Sequence, residues 1–273
     1  MTMTAVQPST ATVADLILDV RSVSVRFGGL AALDDVSFDV RRGELFALIG
    51  PNGAGKTTLV NAITCVYRTQ PGAEVTFRPA GQEPRPLIDL RPYQVARRGV
   101  ARTFQNLGSF PKLSVLDNLL LGRYSHQRSG VIAGGLFSRR MRREEVAARE
   151  VVESIIELLD IARFRREPVG SLPYGVQKRI ELGRVLAMEP ELLLLDEPMA
   201  GMSVDEKRDM VGFIFDVRAA LGTTVLLIEH DMGVVMAIAD RVMVLDSGRR
   251  IALGSPAEVQ RDERVIAAYL GSS

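Results

Sequence analysis

Two short runs in this sequence could hold and split a phosphate. The first is Gly50-Pro51-Asn52-Gly53-Ala54-Gly55-Lys56-Thr57, followed by Thr58. Glycines let backbone N–H groups close around phosphate oxygens at the positive end of a following helix. At this spacing Lys56 reaches the β- and γ-phosphates of a nucleotide, and the Thr57 hydroxyl ligates Mg²⁺. The second run is Asp196-Glu197, directly after the four leucines Leu192–Leu195. A carboxylate at the carboxyl end of a central strand lies beside the phosphates, so Asp196 can hold Mg²⁺ through water. Glu197 beside it can polarise an attacking water as general base. His230 ends another apolar run and is expected at the γ-phosphate edge. His126 has no such context and reads as a surface residue.

These groups act together only if the fold brings them to one edge. Leu45–Ile49 is a short apolar strand after the turn Arg42-Gly43-Glu44, and Lys56–Val66 is helical in pattern. The glycine loop therefore joins a strand to a helix, the context that phosphate binding requires. Upstream, Leu16–Arg26 and Ala32–Val40 alternate apolar and polar residues, as half-buried antiparallel strands do. Gln70–Pro92 is rich in Pro and Gly and reads as strands and turns. Ser114–Leu159 is helical, with Ala148, Val152, Ile155 and Leu159 on one face, a glycine break at Gly130–Gly135, and a solvated basic start at Arg139, Arg140, Arg142 and Arg143. After Pro168 the helices Val176–Met188 and Lys207–Leu221 alternate with the apolar strands Leu192–Leu195 and Thr224–Ile228. Such alternation predicts a parallel sheet covered on both faces.

Composition narrows the function classes. The 273 residues are 47% apolar and 25% charged, enough for a large core under a soluble surface. Lys+Arg total 34 against Asp+Glu 33, a net +1, so nothing favours nucleic acid as the main ligand. The lone Cys65 cannot close an internal disulfide and reads as a small buried core thiol in a reducing compartment. No apolar run approaches the ~20 residues of a membrane-spanning helix. Residues 1–14 read as a loose tail rather than a signal peptide, and the chain is expected in the cytoplasm.

Further motifs carry a resemblance. Arg26-Phe27-Gly28-Gly29-Leu30, the glycine loop, Arg102-Thr103-Phe104-Gln105, Leu172-Pro173-Tyr174-Gly175-Val176-Gln177, Asp196-Glu197, Ile228-Glu229-His230-Asp231-Met232 and Ala268-Tyr269-Leu270-Gly271 occur in this order. The sequence thus resembles ABC ATPases over nearly its whole length, and among them the ATPases of branched-chain amino-acid importers. The resemblance implies an α/β P-loop NTPase core with a parallel sheet, an N-terminal antiparallel β subdomain and an inserted α-helical subdomain. The implied division is 1–14 tail, 15–105 first part of the nucleotide-binding core with the β subdomain, 106–170 helical subdomain, and 171–273 second part of the core.

The resemblance also implies roles. Phe27 would stack on the adenine of ATP, whose phosphates lie on Gly50 to Thr58. Gln105 would join Thr57 and Asp196 around Mg²⁺ and sense the γ-phosphate, and Glu197 and His230 would carry the chemistry. Residues 106–111 with the helical insertion would receive a helix of an integral membrane permease. Leu172 to Gln177 would be the signature that presses on ATP held by an opposing ATPase subunit, identical or related. A periplasmic-type or lipid-anchored solute-binding protein would complete an importer at the cytoplasmic face of the cell membrane. The solute would be a branched-chain or related amino acid, with urea, amides and carboxylates as alternatives.

Several positions depart from the family pattern. Pro173 replaces a usual Ser, Tyr174 a Gly and Val176 a Gln; Ser203 stands for a common Asp, and Cys65 for a common Gly. A soluble ABC ATPase of DNA maintenance is disfavoured, because the chain has neither heptads nor a cysteine cluster.

Overall fold

The computed structural model describes residues 15–103, 110–124 and 139–270. Two sheets organise them. Strands β1 (Leu16–Phe27), β2 (Leu30–Arg41), β4 (Glu74–Phe77) and β5 (Arg85–Pro86) form an antiparallel sheet in the order β2-β1-β4-β5. Strands β3 (Leu45–Ile49), β6 (Val100–Arg102), β7 (Leu192–Asp196), β8 (Thr224–Ile228), β9 (Arg241–Asp246) and β10 (Arg249–Gly254) form the second, in the order β10-β9-β3-β8-β7-β6. Five of its strands are parallel, and β10 closes one edge antiparallel to β9.

All five residues of β3, β7 and β8 are buried, because layers cover both faces of this sheet. On one face, Phe46, Leu48, Leu194 and Leu226 join the antiparallel sheet and helix α1 (Lys56–Ile63) in one core. On the other, Leu45, Leu193, Leu195 and Leu227 pack among helices α3 (Val115–Arg123), α4 (Arg139–Leu158), α5 (Tyr174–Leu186) and α6 (Val204–Leu221). Helices α7 (Met232–Ile238), α8 (Pro256–Arg261) and α9 (Glu263–Leu270) complete the chain, and Val235, Val259 and Val265 contribute to a third cluster against Val242 and Val244. The short helix α2 (Pro92–Arg97) lies before β6.

Some expected boundaries move for local reasons. Helix α1 stops at Ile63, short of Val66: the Thr64 hydroxyl donates back to the Val60 carbonyl at 2.7 Å, and Cys65 turns into the left-handed region at φ 58°. That conformation explains why a glycine suits the position. Cys65 is half-buried rather than fully buried, its thiol donating to the Leu87 carbonyl at 2.8 Å. Helix α6 begins at Val204, not Lys207, because Ser203 and Glu206 make a capping box. Helix α5 starts two residues early, at Tyr174. His126 and the glycine break at 130–135 lie outside the described residues.

Candidate active site

The site forms at the carboxyl ends of β3, β7 and β8. Leu48, Ile228 and Asp196 share one row across these neighbouring strands. The next residues along each strand therefore meet above the sheet, and this edge is where parallel α/β sheets bind ligands.

The glycine loop follows β3. Gly55 adopts φ 101°, and a Cβ there would lie 2.7 Å from the Ala32 carbonyl oxygen; at Gly50 a Cβ would collide with the Leu245 carbonyl. Gly55 is also the N-cap of α1 and offers no side chain to its first amides, so those N–H groups stay available to an anion. Lys56 is buried, and its ammonium donates to the carbonyls of Gly50 at 2.7 Å and Pro51 at 3.0 Å. Burial pulls its pKa down, while the carboxylates of Glu197 and Asp196 oppose that fall. A cleft of about 460 Å³ opens here, lined by residues 52–58 with Leu30, Ala31, Ala32, Glu197, His230, Ser247 and Gly248. An anion-binding cradle, a cation and two proton-transfer groups thus face one space.

The acidic pair has two environments. Asp196 is almost fully buried; its Oδ2 accepts from Arg102 at 2.6 Å, and its amide donates to the Thr103 hydroxyl at 3.1 Å. Arg102 also donates to Asn61 Oδ1 at 2.5 Å, tying β6 to α1. Asp196 Oδ1 is buried without a hydrogen-bond partner. A hard cation or its water satisfies such an oxygen, so the residues fit Mg²⁺. Glu197 projects into the cleft from a left-handed backbone, φ 52°, with its amide donating to the Ile228 carbonyl at 2.9 Å. Its Oε1 lies 2.5 Å from Nε2 of His230.

Other expected residues lie elsewhere. Residues 172–177 do not line this cleft. They form the N-terminus of α5: Pro173 is the N-cap without a side-chain bond, and the Gln177 amide group donates to the Leu172 carbonyl at 2.8 Å. The Glu206 carboxylate accepts from the amide and hydroxyl of Ser203, both at 2.9 Å, and a Cβ at Gly175 would lie 2.5 Å from its Oε1. The Tyr174 hydroxyl donates to the Ala200 carbonyl at 3.0 Å. Phe27 is exposed and packs edge-to-face on Tyr67, with centroids 5.1 Å apart, outside the cleft lining. Gln105 falls outside the described residues, as do 106–109.

Sequence reasoning missed three partners. Arg102 and Glu229 stand inside recognised motifs, but Asp196 and Met199, which they bond, lie 94 and 30 positions away. The Lys207–Asp231 ion pair, 2.8 Å, was equally hidden.

The family model described as ABC transporter matches residues 33–200, and that described as Branched-chain amino acid ATP-binding cassette transporter matches 249–273. The chain is 38% identical over 257 residues to the high-affinity branched-chain amino acid transport ATP-binding protein LivG of Salmonella typhimurium, covering 94% of this chain and 98% of that one. It is 37% identical, with the same coverage, to the corresponding protein BraF of Pseudomonas aeruginosa. A crystal structure of the ADP conformation of an ATP-binding cassette of an ABC transporter aligns with TM-score 0.80 at 30% identity, covering 94% and 99% of the two chains. A nucleotide-free cassette aligns with TM-score 0.79 at 29% identity, covering 93% and 98%.

Proposed function

This chain belongs to the ABC transporter family of ATP-binding subunits, and from that membership we propose how its site works and what it drives. It is the ATP-hydrolysing subunit of an importer for branched-chain or related amino acids, a class supported by the names of its relatives and by the match over 249–273. Its partners are integral membrane permeases, a second ATPase subunit and a solute-binding protein. Among the described residues no helix is long and apolar enough to cross a membrane. As the ATPase of such an importer, the chain works at the cytoplasmic face through its permeases.

The carrying observation is the convergence of the glycine loop, Lys56, Glu197 and His230 on one cleft. The loop amides and Lys56 take the β- and γ-phosphates. Glu197 receives the proton of the attacking water as its oxygen bonds to the γ-phosphorus, and the bond to the β-phosphate oxygen breaks to release ADP. His230 holds the Glu197 carboxylate in position at 2.5 Å and reaches the γ-phosphate edge. Thr57, Asp196 and Gln105 would hold Mg²⁺, which supplies charge neutralisation on the phosphates. Phe27 stacks on adenine. Residues 172–177 lie away from their own chain's cleft, which supports a second chain's ATP as their ligand; each ATP then sits between two subunits. The implied units are 15–105 and 171–273 for the nucleotide core and 106–170 for permease contact.

The test is Glu197→Gln, which should bind MgATP normally, fail to hydrolyse it, and hold two subunits together on size-exclusion chromatography. Retained turnover refutes the general-base role. Uptake assays with radiolabelled leucine, isoleucine and valine in cells lacking the gene test the solute. Unchanged uptake of all three refutes the amino-acid assignment.

A further inference from the structure

Glu229 is a buried carboxylate that the hydrolytic scheme does not use. It follows β8, is 4% exposed, and lies beside His230. Both of its oxygens are spent on backbone. Oε1 accepts the amide of Met199 at 2.8 Å, and Oε2 accepts the amide of His230 at 3.2 Å. Met199 is two residues beyond Glu197 and fully buried. One carboxylate thus grips the turn that carries the general base and the residue that hydrogen-bonds it.

The turn needs such a grip. Glu197 has φ 52°, a left-handed conformation that disfavours any residue with a side chain. Strained backbone of this kind persists only where its surroundings over-determine it. Here the Glu197 amide is held by the Ile228 carbonyl at 2.9 Å, the Ala200 amide closes on the Glu197 carbonyl at 3.2 Å, and Glu229 fixes Met199 between them. The adjoining Asp231 adds an ion pair to Lys207 on α6, 2.8 Å. Three consecutive residues after β8 therefore bind three points of the segment after β7. Burial pushes the Glu229 pKa up, and the two amides push it back.

We infer that Glu229 is a positioning residue for hydrolysis, which holds Glu197 and His230 in register through the Met199 and His230 amides. The assignment rests on Glu197 acting as general base. It requires a carboxylate rather than any side chain of this size. Gln at 229 has the same shape but one acceptor oxygen, and its NH₂ group would face a backbone N–H, donor against donor. A side chain that merely filled the core would tolerate that change.

The experiment measures Glu229→Gln in the complete transporter complex, beside Glu197→Gln. Glu229→Gln is expected to bind MgATP within about twofold of wild type, because it does not touch the phosphate loop. Its kcat should fall roughly ten- to a hundredfold, the range for a lost hydrogen bond to a charged group. A second variant replaces Met199 by its α-hydroxy acid, which turns the amide N–H into an ester oxygen and leaves every side chain in place. It should lower kcat in the same direction, with KM for ATP little changed, and it decides the matter if Glu229→Gln does not fold. Wild-type kcat in these variants, beside an inactive Glu197→Gln, overturns the role of Glu229 and leaves the general base standing. An active Glu197→Gln overturns both.

Discussion

Gly175 separates the signature's chemistry from its packing. A Cβ at this position would lie 2.5 Å from Glu206 Oε1, 3.0 Å from its Cδ and 3.2 Å from its Cγ. Ordinary contact begins near 3.4 Å, so Gly175→Ala pushes the carboxylate back by about 0.9 Å. That shift strains the bonds from the Ser203 amide and hydroxyl, both 2.9 Å, and weakens the cap of α6. A cap is worth about 1 kcal/mol, while Ala in place of Gly in a helix returns about 0.5–1 kcal/mol. The two nearly cancel, so Tm should move by only about 2 °C in a chain of this size. Activity should respond far more. The new methyl group stands at the N-terminus of α5, where the proposed opposing phosphate approaches, and Pro173 offers neither hydroxyl nor N–H to compensate. Loss of one hydrogen bond to a charged group predicts a fall in kcat of about ten- to a hundredfold. MgATP affinity of the isolated chain should not change, because its own cleft is lined by other residues. Steady-state ATPase of the reconstituted complex, with thermal melting alongside, reads both effects. The double variant Gly175→Ala, Glu206→Ala removes the clash and should melt no lower than Glu206→Ala alone, yet keep the same fall in kcat. Wild-type turnover in Gly175→Ala would remove the signature assignment.

Lys56→Ala deletes the buried ammonium of the phosphate loop and should abolish hydrolysis and weaken ATP binding, by several kcal/mol at the transition state; a variant that still turns over at the wild-type rate disproves the site. Cys65→Gly should raise Tm by about 2 °C, because relieving φ 58° gains about 1–2 kcal/mol and the added chain entropy costs about 0.5–1 kcal/mol; calorimetry that finds a lower Tm contradicts this. Glu206 and Glu258 have carboxyls held below the ordinary 4.5 by hydrogen bonds in their capping boxes with Ser203 and Ser255. Their stabilisation is complete above 4.5 and disappears as pH falls through the depressed folded values. Glu206→Gln with Glu258→Gln keeps the box without the charge, so Tm of that double variant should fall less between about pH 5 and 3; an unchanged slope in circular-dichroism melts rejects the linkage.

The sequence alone determined the strands β3, β7 and β8 and the residues at their tips. Each is a continuous apolar run ended by glycine or acid, and a run buried on both faces writes itself into composition. The phosphate loop was legible for a related reason: its glycines answer to backbone geometry, a local requirement that needs no distant partner. Helices α7 to α9, only six to eight residues long, carry too few periods to read from the sequence. What tertiary structure decided is which distant groups meet. Arg102 reaches Asp196 across 94 positions, Glu229 reaches Met199 across 30, and Tyr174 reaches Ala200 across 26. Such pairings depend on the order of strands in the sheet, β3-β8-β7-β6, and not on any pattern within a segment. The same holds for Ser203: as a departure from a family motif it had no account, but as the N-cap of α6, beside the signature glycine, it has a physical one.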